Sequence, residues 1–323
     1  MTMTSSPTSA DPPSPAAAPA RPPRGVWIGY AFAALGAVLF STKAIFIKLA
    51  YAEGINAETL LALRMLLSLP FYVAIGLVAV GARWRTGRKL PERGLVVRAA
   101  LVGILGYWFA SYTDFLGLLY ISAQFERLIL FTYPAFVVVL GALFFAQPIR
   151  PRTLFGIAIS YAGLALIFAT KHTEVGSDVA KGAALVLSAA IAFALYQLLA
   201  KDLIGKIGPR LFTCIAMSGA AAGALLQFAL TQPLGSLLVG PKLLVYGVLL
   251  AIGATVLPSF LLNAALQRIS AQANATIGTL SPVVTILLAV VILGEHFAWI
   301  DACGTALVIA GVGWFTLADR KPS

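Results

Sequence analysis

The chain has 323 residues, 60% of them hydrophobic and only 11% charged, with a mean hydropathy of +0.92. Soluble domains are about half apolar and about a quarter charged, so this balance excludes an ordinary globular enzyme. The formal charge is +11, from 23 Lys and Arg against 12 Asp and Glu, and its meaning depends on where the basic residues fall.

In chain order, residues 1–24 are a Pro/Ser/Ala tract that cannot bury a core and is expected to be a disordered tail. The first apolar run begins at Val26 and is too long for the core of a signal peptide. A helix needs about 20 mostly apolar residues to cross the hydrocarbon. Ten such runs follow: 26–49, 59–80, 95–118, 123–145, 153–170, 180–200, 211–230, 242–265, 274–293 and 299–317. Polar breaks are clear at 82–93, 147–152, 171–181, 201–210 and 294–301, and faint at 119–122 and 266–273. The expected fold is an all-α polytopic membrane protein. Cys214 and Cys303 both lie in apolar runs, too few for a disulfide scaffold or a cysteine zinc site.

The spans carry unequal chemistry. The first holds Phe40 and Lys43, the second Arg64, the third Trp108, Tyr112 and Asp114, and the fourth Glu126, Arg127, Tyr133 and Pro134. Tyr196 lies in the sixth, a GxxxG from Gly219 to Gly223 in the seventh, Phe260 in the eighth and Pro282 in the ninth. The GxxxG is read as a close helix contact. Trp27, Trp299 and Trp314 lie near span ends and fit an interfacial belt. His172 and His296 fall in connecting segments and are read as solvated.

Placing the N-terminus in the cytoplasm puts 16 basic residues in inner segments, among them Arg83, Arg85, Arg93, Arg210 and Arg268. Only Lys48, Lys171, Lys181 and Lys242 fall outside. This asymmetry predicts inward termini and an even number of spans. The positive charge is therefore mostly topology, and nucleic acid is not needed to explain it.

Shifting the chain by 148 residues superposes its halves. Ile121-Ser122-Ala123-Gln124 meets Ile269-Ser270-Ala271-Gln272, and Ser111, Pro134, Gly156 and Gly163 meet Ser259, Pro282, Gly304 and Gly311. Five spans per copy is an odd number, so the second copy is expected upside down relative to the first. Inverted repeats of this kind are a plan of secondary transporters, with the substrate site near the midplane between halves.

The stretch from Ile121 to Thr170, with Pro134, Gly156 and Gly163, resembles the EamA repeat of the drug/metabolite transporter superfamily. The copy from Ile269 to Ala318 resembles it further, with Leu293-Gly294-Glu295 matching the family's Gly-Glu, where the first copy has Gln147-Pro148. Lys48 and Arg64 also sit where the family has Lys and Arg. The resemblance covers about residues 26–318, with repeats expected at 25–170 and 180–318. It implies ten helices and a carrier of small metabolites, amino acids above all, nearest to exporters of the YddG type. It implies no cofactor, no metal and a functional monomer in a bacterial inner membrane.

Ionisable groups inside spans are costly and are read as functional. Lys43, Arg64, Asp114, Glu126 and Arg127 all fall in the expected outer third, while the mates of four of them, Tyr196, Leu262, Asn274 and Ala275, are uncharged. Structural ion pairs such as Arg64 with Asp114 are one reading. The other is that Lys43 or Arg127 contacts an anionic group of the substrate and that Glu126 carries a proton. Phe40, Trp108, Tyr112, Tyr133, Tyr196 and Phe260 are the candidate aromatic wall of a cavity, with helix packing as the plainer reading. Pro134 and Pro282 are expected to kink their helices.

Export of small metabolites, most of all amino acids, is the function these readings favour. A carrier of phosphorylated sugars or nucleotide-sugars, or a drug efflux carrier, is the alternative. A membrane-embedded enzyme is remote, since no HExxH, no Cys/His pair and no phosphate-binding GxxxxGK[ST] is present.

Overall fold

Bare backbone N–H and C=O groups are prohibitively costly in hydrocarbon, so a span must bond to itself as a helix. The computed structural model describes the backbone of residues 24–318, apart from 88, 146–150, 176, 267, 270–276 and 279. Among these residues there is no strand. Most of the expected tail, Gln147-Pro148, Ser270 to Gln272, Asn274 and Ala275 lie outside the described residues.

Among the described residues the main helices are α1 (Arg24–Ser41), α2 (Lys43–Ala52), α3 (Ala57–Arg85), α4 (Arg93–Gly117), α5 (Ala123–Leu130), α6 (Tyr133–Phe145), α7 (Pro151–Val175), α8 (Ser177–Ile207), α9 (Pro209–Thr231), α10 (241–266), α11 (Leu280–Leu293) and α12 (Trp299–Ala318). Seven segments are long and apolar enough to cross a membrane, α1 with α2 and α5 with α6 each counting as one, and three shorter apolar helices complete the set. The chain is an all-α, multi-pass membrane protein.

The two halves interlock. The principal partners of α1 and α4 are α10 and α8, α3 packs on α9, α5 on α11, and α7 on α12. Each of these contacts crosses from one half of the chain to the other. The α7–α12 contact shows the symmetry in atomic detail. Ser160 Oγ donates to the carbonyl of Val308 at 3.3 Å, its mate 148 residues on. A Cβ on Gly163 would meet the carbonyl of Gly304, and one on Gly311 the carbonyl of Gly156. These four glycines are two repeat-related pairs, so the helices cross antiparallel about a local two-fold axis. Small residues permit this approach, and close packing is what holds helices together in lipid.

Two spans that read as continuous are interrupted. The first breaks at Thr42, whose N–H and hydroxyl both bond back to the Leu39 carbonyl, at 3.2 and 2.6 Å. The fourth breaks at Phe131–Thr132, where the Phe131 and Thr132 N–H groups close the last turn on Arg127 and Ile129. Pro134 therefore does not bend a continuous helix: it sits in the first turn of α6, where a missing N–H costs nothing. Pro282 occupies the first turn of α11. The third and eighth spans carry π-helical turns at Ile104–Phe109 and Leu249–Val256, which overlap when shifted by 148. Such turns collect at functional sites.

Two expected breaks are shorter than their composition suggests. Helix α7 runs to Val175 and α8 starts at Ser177, so His172 belongs to the last turns of a helix rather than to a loop. Only Gly208, with φ of +86°, separates α8 from α9. The polar residues there extend the helices beyond the apolar stretch. Trp27, Trp299 and Trp314 are exposed on the flanks, and Gly219 packs on Ala100 and Gly223 on Trp108.

Candidate functional site

The charged residues of the first, second, third and fourth spans converge in the interior. Lys43, Arg64, Asp114, Glu126 and Arg127 are between 0 and 6% exposed. Lys43 is the first residue of α2, just past the Thr42 break, and its Nζ donates to Asp114 Oδ2 at 2.7 Å. Oδ1 of Asp114 has no hydrogen-bond partner. Glu126 and Arg127 lie on α5, a helix of eight residues, one in its first turn and one in its last. Each charge thus has the sign that the helix dipole favours at its end. Arg127 Nε is 3.9 Å from Glu126 Oε2, too far for a hydrogen bond. Both Glu126 oxygens, and Nε and Nη2 of Arg127, lack a hydrogen-bond partner.

Phe40 joins this group. Lys43 Nζ lies 5.7 Å and Arg127 Cζ 5.6 Å from its ring centroid, so one ring face region serves two cations. An aromatic quadrupole compensates part of the lost hydration without consuming a donor.

Arg64 does not pair with Asp114, contrary to the ion pair read from the sequence. Its Nη2 donates to Ser111 Oγ at 3.0 Å and its guanidinium lies over Phe115, 5.0 Å from the centroid. Asp114 is instead held by Lys43, because the Thr42 interruption places the start of α2 against α4. Two turns further along α3, Tyr72 bonds Ser259 at 3.1 Å. Ser111 and Ser259 are repeat mates, so α3 reaches the equivalent serine of both third-type helices. The sequence match of the serines was visible; their partners were not.

The aromatic candidates divide among three places. Tyr196 donates to Tyr107 Oη at 3.2 Å and stacks on Phe193, against which Tyr133 stands edge-on. Phe260 faces Tyr72, with centroids 6.1 Å apart. Trp108 Nε1 donates to Gln227 Oε1 at 2.7 Å, and Tyr112 Oη to Glu58 Oε1 at 3.0 Å. Of the aromatic candidates, Phe40 has its ring beside Lys43 and Arg127. Glu58, Tyr107, Phe193 and Gln227 were missed by sequence reading, because nothing in their local pattern separates them from other span residues.

The N-terminus of α5 is clasped from the other half of the chain. After a turn at Gly294, with φ of +66°, Glu295 accepts from the N–H of Ala123 at 2.7 Å and of Gln124 at 3.2 Å. Gln124 Nε2 returns a bond to the His296 carbonyl at 3.4 Å. Ser122 supplies the ordinary cap, accepting from the Phe125 N–H at 3.2 Å. The repeated Ser-Ala-Gln and the single Gly-Glu are therefore one structural unit, and it positions the helix that carries Glu126 and Arg127.

Ion pairs, aromatic faces and interrupted helices between two interlocked halves suit reversible binding of a small polar molecule. A transporter of uncharacterized specificity from Bacillus subtilis (strain 168), YcbK, is 28% identical over 91% of this chain and 95% of its own length. Another from that organism, YcxC, is 30% identical over 63% of this chain and 67% of its own. A Synechocystis transporter, sll1319, is 27% identical over 82% of this chain and 80% of its own. A solved crystal structure, 20% identical, superposes with a TM-score of 0.61 over 92% of this chain and 97% of that one, and so shares the fold. The profile of the EamA-like transporter family matches the chain twice, at residues 27–169 and 180–317. The chain belongs to the EamA-like transporter family.

Proposed function

We propose that this transporter exports amino acids across the bacterial inner membrane by alternating access, with both termini in the cytoplasm. The observation that carries this reading is the buried group formed by Phe40, Lys43, Asp114, Glu126 and Arg127 where the first and fourth spans are interrupted. Charges in hydrocarbon are retained where they do work. Interrupted helices leave backbone groups and side chains free to exchange partners as the two halves move.

In this reading Glu126, whose carboxyl lies against that of Asp114, takes up a proton when the site is empty. The aromatic residues Tyr133 and Tyr196 on one side, and Trp108, Tyr112 and Phe260 on others, are the walls against which substrate side chains pack. A carrier of phosphorylated sugars would need a surplus of free cations. Lys43 is already neutralised by Asp114 at 2.7 Å and Arg64 is bound to Ser111, which argues against that class.

The test is growth. Cells overproducing the chain are challenged with toxic amino acids and their analogues, and liposomes holding purified protein are assayed for efflux of the same compounds. Rescue together with efflux in liposomes is the expected result. Efflux of sugar phosphates in exchange for phosphate, with no movement of amino acids, would replace this reading by the other.

A further inference from the structure

We propose that Glu126 and Arg127 bind the two ends of a zwitterion, the ammonium group at Glu126 and the carboxylate at Arg127. This deepens the amino-acid reading above and rests on it.

A buried ion lacking a partner is far more costly than a buried pair, because its lost hydration is not repaid. Lys43 and Asp114 repay one another through a 2.7 Å bond. Glu126 and Arg127, which adjoin along α5, form only a loose pair with no hydrogen bond. Their nearest charged atoms stay 3.9 Å apart. Two carboxylate oxygens of Glu126 and two guanidinium nitrogens of Arg127 are buried with no hydrogen-bond partner, and the Glu126 carboxyl lies against that of Asp114. The vacant acceptors and the vacant donors thus lie side by side.

Ligand classes can be sorted by charge against this arrangement. With both carboxyls ionised, as when a ligand is bound, Lys43, Asp114, Glu126 and Arg127 together sum to zero. A simple anion drawn to Arg127 would bring its charge against Glu126 and Asp114. A simple cation drawn to Glu126 would meet Arg127 and Lys43. A zwitterion satisfies both vacant sets and leaves the total at zero. Arg127 is moreover steadied by the Phe40 ring, 5.6 Å from its Cζ. A ring contact orients the guanidinium while leaving its N–H donors free for a forked bond to a carboxylate.

Phenylalanine, phenethylamine and 3-phenylpropionate share a side chain and differ only in the groups at issue. Efflux competition with these three compounds is measured in liposomes containing the full-length protein and its variants. The intact protein is expected to prefer phenylalanine. In Arg127→Gln the affinity for phenylalanine falls about ten- to a hundred-fold, as expected for a lost bond to a charged group, while that for phenethylamine changes little. Glu126→Gln shows the opposite pattern, with 3-phenylpropionate spared. Where a glutamine variant does not reach the membrane folded, Arg127→Lys and Glu126→Asp keep the charge, displace it, and must show a smaller loss with the same ligand selectivity. Folded variants that keep the full preference for phenylalanine, or lose all three ligands equally, overturn the zwitterion site. An intact protein that moves no amino acid at all overturns the amino-acid reading instead.

Discussion

Lys43 and Asp114 are 2.7 Å apart with side chains almost wholly withdrawn from their surroundings. Removing one partner of such a pair leaves the other charged and buried, at a cost of about 3–5 kcal/mol, whereas removing both is often nearly neutral. Lys43→Met is therefore expected to lower the melting temperature of the detergent-purified protein and the yield of folded chain. Adding Asp114→Asn should restore most of both. A single variant as stable as the parent would show that the pair bears no structural load. The same logic separates Lys43 from Arg127, whose Nε and Nη2 have no hydrogen-bond partner and whose contact with Glu126 is 3.9 Å long. Arg64 is intermediate, holding Ser111 at 3.0 Å with one nitrogen while its Nε lacks a partner.

Among the elements, α5 is the one on which most depends. It has eight residues, too few to be stable by itself, and it is fastened at both ends. Ser122 and Glu295 cap its first turn, and the Thr132 interruption separates it from α6. Glu295 comes from the second half of the chain, so the clasp is also a link between the halves at that end of the bundle. Its counterpart in the first half has Gln147-Pro148, with no carboxylate to offer. Glu295→Ala should loosen α5 by about 1–2 kcal/mol, the usual value of a lost cap. In a chain with Cys214 and Cys303 replaced, a Gln124→Cys thiol, at a site only 6% exposed, should then react faster with a water-soluble maleimide. Equal labelling rates with and without Glu295 would show that the clasp does not control access.

At the scale of the molecule, the halves are interleaved rather than set side by side. Helices α3 with α9 and α7 with α12 pair repeat-related partners, α5 packs on α11 from the other half, and α1 with α10 mirrors α4 with α8. Movement of one half against the other therefore acts on every interface at once, including the one that holds α5. Which end faces the cytoplasm follows from the 16 basic residues assigned to one side against four on the other. A C-terminal alkaline phosphatase fusion is expected to be inactive and a C-terminal fluorescent protein fusion bright. High phosphatase activity would reverse the orientation and turn export into uptake.

Hydropathy alone located the ten apolar runs, since each must exclude water over its whole length. The 148-residue offset identified the residues that cross in α7 and α12, because a close helix contact leaves its mark as small residues at fixed spacing. The five charged positions stood out for the same reason: a charge in an apolar run is conspicuous. Their pairing was not legible. Lys43 and Asp114 are 71 residues apart, and whether Asp114 meets Lys43 or Arg64 depends on helix rotation and on a break at Thr42 that no proline or glycine announces. Likewise, nothing near Glu295 shows that it caps a helix begun 172 residues earlier. Local composition decides which segments enter the membrane; only the packing of the two halves decides which buried charges meet, and which keep atoms without a hydrogen-bond partner.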